Sequence, residues 1–388
     1  ENYFDFDVQD DFAAHLSGNI SGTGKASIDA DRGEITLSGA SSDYTGGTDL
    51  TKGTLIVRSS SALGDATAAN SALSMANNTE LLLAHDVTIA NDITLAGAAT
   101  IGFAPHEIEV EYLVVGGGGA GGTTWYGGYE NGGGGGAGGF LSGQMSINAN
   151  ATTITVGAGG SGVNWQDGDS RSGENSSIGS AVIAYGGGHG GGRGGNATYG
   201  PGDADAGGSG GGGAAYSYRT PGQGITGQGF KGGTGSTTTS TGGGGGGGGA
   251  GEQGTDGSGS TGGTGGDGKQ SDITGTLKWY AGGGGGAGGT AGAGGQGGGG
   301  AGGATGSDGA ANTGGGGGGA LDQGRNSGSG GSGIVVVRYQ GTRAATGGTI
   351  SSFNGDGTIG DDGVTYQVHS FTDVGASTFE MDLSAAIS

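Results

Sequence analysis

Apolar residues recur at every second position near both ends of this 388-residue chain, and the pattern stops in the middle. From Tyr3 to Val8, Phe4, Phe6 and Val8 alternate with Asp5 and Asp7, the period of a strand with one buried face. From Ser27 onward, short runs such as Glu34 to Leu37 and Thr54 to Val57 are separated by glycine-bearing turns, and the rhythm continues through Leu81 to Phe103. Glu109 to Val115 and Gly333 to Tyr339 are apolar enough to predict central strands. Thr152 to Val156 and Ala181 to Tyr185 add two short strands. The tail holds Tyr366 to Phe371 and Thr378 to Leu383 around Gly375, with Phe379, Met381 and Leu383 alternating with Glu380 and Asp382.

Composition changes the picture between these strands. Of 112 glycines, 93 fall between residues 116 and 333, and only 31% of all residues are hydrophobic. One large apolar core is therefore not available, and something else must order the middle. Collagen is excluded, because it needs glycine at every third position and abundant proline, and this chain has three prolines. Glycine-rich coil is the rival reading, and glycine-lined irregular loops on a β-sandwich are another. In a polyproline-II helix three residues make a turn and every N–H and C=O points outward, so neighbouring rods bond to each other only where no side chain intervenes. Gly132 to Gly136, Gly242 to Gly249, Gly282 to Gly286 and Gly314 to Gly319 fit such rods. The predicted fold class is all-β plus polyglycine II: a short β-helix or β-sandwich scaffold with a bundle of glycine-rich helices and almost no α-helix. Its predicted parts are a solenoid-like region 1–107, a glycine-rich module 108–340 and a C-terminal β-hairpin within 341–388.

Net charge is −22 with a pI near 4.2, which argues against nucleic acid or an anionic membrane as partner. No stretch approaches the roughly 20 apolar residues of a membrane span. Cysteine is absent, so thiol catalysis, disulfides and thiolate metal sites are excluded together. The chain opens on Glu1 rather than methionine, which suggests a processed chain or a fragment, and we expect a secreted, extracellular or cell-surface protein.

The chemical motifs are weak. GxGxxG recurs as this composition demands and means nothing without its strand and helix. Gly263 to Lys269 approaches a phosphate loop but has Gln270 where Ser or Thr would hold magnesium. His15, His85, His106, His189 and His369 lack ligand spacing, and His369 is expected in a strand with a pairing or surface role. No serine sits in a nucleophile elbow, so no enzyme activity and no cofactor are predicted. Asn354, Asp356, Asp361 and Asp362 are calcium candidates, although Asx and glycine are also what turns require. Trp125, Tyr126, Tyr129, Trp165, Tyr199, Tyr216, Tyr218, Trp279 and Tyr280 punctuate the glycine tracts, either covering rods or, at loop tips, contacting a receptor.

ITLSGASSDYTGGTDLTKGTLIVRSSSALG, Ile35 to Gly64, resembles the β-strand repeat of bacterial autotransporter passengers, over about 27–103 in all, which implies a right-handed β-helix. EYLVVGGGGAGG, AYGGG, ANTGGGGGG and GSGIVVVRY resemble the glycine-rich modules of bacterial surface proteins and phage tail adhesins, over about 109–339. VTYQVHSFTDVGASTFEMD resembles the hairpin that precedes the first strand in those modules, but here it comes last.

The displaced hairpin and the one-faced strands carrying Phe4, Phe6, Val8, Phe379, Met381 and Leu383 together predict a fibre subunit. It would polymerise with copies of itself by strand donation, with the C-terminal hairpin completing a neighbour. The alternative is an adhesin that meets a glycan or protein receptor through Trp125, Tyr126 and Tyr129. An ice-binding protein ranks third, since Thr237, Thr238 and Thr239 are only a short run.

Overall fold

The computed structural model describes residues 3–8, 12–84, 87–104, 107–124, 131–148, 151–162, 171–192, 203–215, 220–237, 241–321, 325–341 and 345–381. It is all-β, with no helix among the described residues, and divides into two compact units, Glu1–Glu107 and Ile108–Ser388.

The first unit is a parallel β-solenoid of about four turns. Its strands are β1 (Tyr3–Asp7), β2 (Ala13–Leu16), β3 (Lys25–Leu37), β4 (Thr48–Val57), β5 (Leu73–Met75), β6 (Glu80–Leu83), β7 (Ile93–Leu95) and β8 (Thr100–Phe103). One ladder runs β1-β3-β4-β5-β7, and a second runs through β2, β3, β4, β6 and β8. Register stacks like on like: Ile28 on Leu50 on Met75, and Ile35 on Leu55 on Leu81. All six side chains are buried in one core, so a coil of about 20 residues that could not bury its own apolar face does so against its neighbours. Gly64 takes φ +79° at the turn that passes under Tyr44, a conformation L side chains resist. Buried Tyr44 hydrogen-bonds Thr48, and burial pushes its hydroxyl pKa up to about 12.

The second unit has two five-stranded sheets. Its strands are β9 (Glu107–Val115), β10 (Phe140–Asn148), β11 (Thr152–Val156), β12 (Ser176–Ile178), β13 (Val182–Ala184), β14 (Lys269–Ser271), β15 (Lys278–Tyr280), β16 (Ile334–Gln340), β17 (Ala345–Thr346), β18 (Thr349–Asn354), β19 (Thr365–Phe371) and β20 (Gly375–Met381). The sheets run β10-β9-β16-β19-β18 and β13-β12-β11-β20-β17, while β14 and β15 form a separate hairpin. Val110, Val114, Val335, Val337 and Phe371 of the first sheet pack with Ile154, Val156, Ile178 and Phe379 of the second. On the first sheet's other face, Leu113, Val115, Ile334 and Val336 pack with Ile273, Tyr280, Ala250 and Ala281. Burial on both faces is why Leu113 to Val115 of β9 and Ile334 to Val337 of β16 are unbroken apolar runs.

The predicted C-terminal hairpin does not form, because β19 and β20 lie in different sheets and do not pair with each other. β19 pairs antiparallel with β16, and β20 pairs antiparallel with β11 of the same chain. Each of the two strands has a partner on both sides within this chain, β16 and β18 for β19, β11 and β17 for β20. Phe379 already fills this chain's own core, edge-on to His369 at 5.1 Å between centroids.

Between the strands, glycine segments lie side by side. Segment 132–139 is surrounded by six others. Its N–H groups at 132, 135 and 138 donate to Ala320, Gly317 and Gly314; those at 133, 136 and 139 donate to Gly191, Gly188 and Tyr185; those at 134 and 137 donate to Gly245 and Gly248. Its carbonyls accept from 116–122, 209–212 and 284–287, all at 2.7–3.0 Å. The period of three is what a three-residue turn produces. Glycine is required here by contact: a Cβ on Gly134 would overlap the Gly284 carbonyl. At the surface the same period places side chains outward, as with Thr261, Thr264 and Asp267 along 261–268.

Candidate functional site

The glycine segments run to and from the sandwich, and their ends away from it are bonded together. Thr123 Oγ1 donates to Arg325 O at 2.8 Å, Asn131 Nδ2 donates to Gly242 O at 2.7 Å, and Ala215 N donates to Asn131 O at 3.0 Å. A Cβ on Gly192 would overlap the Thr123 carbonyl. These contacts gather the rod ends that adjoin connections 125–130, 193–202, 216–219, 238–240 and 322–324 at one place. Glycine makes this possible, since rods without side chains can end within hydrogen-bond reach of one another.

Trp125, Tyr126 and Tyr129, and likewise Trp165, Tyr199, Tyr216, Tyr218, His85, His106 and Leu383, lie outside the described residues. Trp279 and Tyr280 sit in β15, at the sandwich end, where Tyr280 is buried and desolvation raises its pKa. Phe4 and Phe6 of β1, and Val8 just after it, are half-buried, and among the described residues β1 pairs with β3 on one side only. Met381 pairs with Ala345 inside the second sheet.

The acidic turn is held by its own bonds. Asp356 Oδ1 accepts from the N–H groups of Thr358 at 2.9 Å and Ile359 at 2.8 Å, which lowers its pKa. Asn354 Oδ1 accepts from Thr365 Oγ1 at 2.9 Å, Asp361 faces the Tyr366 hydroxyl, and Asp362 is exposed. Among the described residues no three His, Asp or Glu side chains converge as a metal set. Segment Gly263–Gly268 is a rod whose amides at 263, 265, 266 and 268 are used by Gly244, Ala293, Gly247 and Gln296, so it forms no phosphate cradle.

Sequence reasoning missed two polar clusters. Ser172 Oγ and His189 Nε2 both contact Asp205 Oδ2, at 3.0 and 3.3 Å, so the carboxylate lies between hydroxyl and imidazole, whereas in a serine–histidine–aspartate relay the imidazole lies in the middle. The other is in the sandwich. His369, expected to pair or face the surface, is fully buried, with Nδ1 2.8 Å from Gly347 O and Nε2 3.2 Å from the Tyr339 hydroxyl. The one charge in the run IVVVRYQ was the available signal for a third buried group: Arg338 is ion-paired with Glu111.

The glycine-rich domain family matches residues 93–340. This chain belongs to that family. The matched span opens at β7 and closes with β16, so the family's glycine-rich domain takes in the whole bundle and leaves β17–β20 outside it. No curated protein and no solved structure matches the chain. A glycine-rich domain joined to a β-solenoid is compatible with a structural or adhesin-like surface protein.

Proposed function

We propose that this is a secreted, non-enzymatic surface adhesin in which a polyglycine II bundle carries recognition segments away from a β-sandwich base. The observation that carries the reading is the convergence of rod ends at Thr123, Asn131, Gly192, Ala215, Gly242 and Arg325. Aromatic residues Trp125, Tyr126, Tyr129, Tyr199, Tyr216 and Tyr218 belong to connections that start and finish there. Large planar side chains are common recognition anchors, because little side-chain entropy is lost when they bind. The three-residue hydrogen-bond period supports polyglycine II for the rods.

The test is attachment of the labelled chain to bacterial outer-membrane preparations and immobilised glycans. Replacing Trp125, Tyr126 and Tyr129 together with Ser should abolish binding while leaving the melting curve unchanged. Attachment that survives the triple replacement overturns the reading.

A second reading, a filament subunit, draws on the solenoid rather than the hairpin. β1, β2, β7 and β8 each pair on one side only among the described residues, and an open rung is a template for another strand. Negative-stain microscopy separates the two: filaments support stacking, whereas single particles at high concentration exclude it.

A further inference from the structure

On the outer face of the first sheet a cleft of about 430 Å³ opens between β9–β10 and the segment leaving β14, within the roughly 300–1,000 Å³ of small-molecule sites. Its lining is dense in hydrogen-bonding groups: Glu111, Ser142, Gln144, Gln270 and Asp272, with Leu277 as the apolar wall. Leu277 is 59% exposed, an uncovered leucine beside a polar depression. Beneath them Arg338, its side chain 7% exposed, pairs with Glu111 and stands 3.7 Å from Asp272.

We infer that this cleft binds a neutral saccharide. Arg338 balances one of the two carboxylates, so the trio carries one net negative charge and disfavours anionic ligands. Carboxylates accept, while the amides and Ser142 both donate and accept, a mixture suited to hydroxyl groups, which also do both. Leu277 offers the apolar surface that the C–H face of a sugar ring needs. Arg338 holds Glu111 and Asp272 from beneath before any ligand arrives, which lowers the ordering cost of binding. The cleft lies at the sandwich end of the module, so it is separate from the receptor reading of the converging rod ends and does not depend on it.

Saturation-transfer NMR on the full chain with maltose, cellobiose, lactose and chitobiose tests the inference. Saturable binding of at least one disaccharide is expected, weakened tenfold or more by Gln144→Ala and by Leu277→Ser. Both positions are on the cleft surface, and matched unfolding midpoints certify the fold. Replacing Trp125, Tyr126 and Tyr129 should leave this binding unchanged, which keeps its failure distinct from failure of the adhesin reading. No saturable signal from any of the four sugars, or binding indifferent to both cleft variants, overturns it.

Discussion

Arg338 Nη1 lies 3.7 Å from Asp272 Oδ1, an ion pair across 66 residues that ties a central strand of the sandwich to the loop joining β14 to β15. The same guanidinium sits 5.0 Å from the centroid of Tyr366 and 5.8 Å from that of Phe353. Arg338→Met keeps the stem's packing but loses both the charge pairs and the cation–π contacts. We expect a loss of about 2 kcal/mol, since Glu111 and Asp272 are partly solvated and their pairs are worth less than fully buried ones. Urea unfolding measures it, and an unchanged midpoint would remove Arg338 from the account of how hairpin and sandwich are joined.

Gly134 and Thr264 make a matched test of the bundle. Gly134→Ala places a methyl group against the Gly284 carbonyl, and the backbone around it is braced on six sides. The expected cost is about 3 kcal/mol or more, at the upper end of overpacking effects. Thr264→Ala, on an outward position, should stay within about 0.5 kcal/mol. Equal effects from the two in thermal melts would contradict the hydrogen-bond pattern.

Tyr44 predicts an alkaline limit for the solenoid. Its hydroxyl pKa is about 12 in the fold against 10.0 for the free side chain. The folded state therefore holds the proton more tightly, and stability falls as pH rises from about 10 to about 12. The loss is on the order of 2–3 kcal/mol for a shift of this size. Tyr44→Phe should abolish this slope while costing about 1 kcal/mol at neutral pH for the lost Thr48 bond. Denaturant titrations at pH 9 and pH 12 on both proteins check it.

Deleting residues 364–388 removes β19 and β20, one strand from inside each sheet. The product should be insoluble or unfolded, because Phe371 and Phe379 leave the sandwich core with it. A soluble truncated chain with native circular dichroism would return β19 and β20 to the role of exchangeable strands.

Much of the scaffold was legible in the sequence. Thr54 to Val57, Glu109 to Val115 and Gly333 to Tyr339 declared themselves because apolar period and apolar continuity follow directly from burial on one face or two. β10, FLSGQMSIN, carries no clear strand pattern, since Ser142, Gly143 and Gln144 on an exposed edge blur the alternation. The bundle's register was hidden for a different reason: identical glycines carry no mark of which neighbour each amide will meet. The cleft and the Arg338 cluster draw on segments as far as 227 residues apart, so no local pattern could announce them. Asp356 caps its turn with the kind of side chain that a cation would also recruit, so sequence alone does not separate the two roles.

The threefold sharing of amides in segment 132–139 also constrains how such a protein can change over generations. Inserting one residue in a rod would turn every later amide by a third of a circle and aim it at the wrong neighbour. Three inserted residues would restore the aim. Rod lengths should therefore drift in steps of three, like codons in a reading frame, while the connections between rods remain free to vary in length and content.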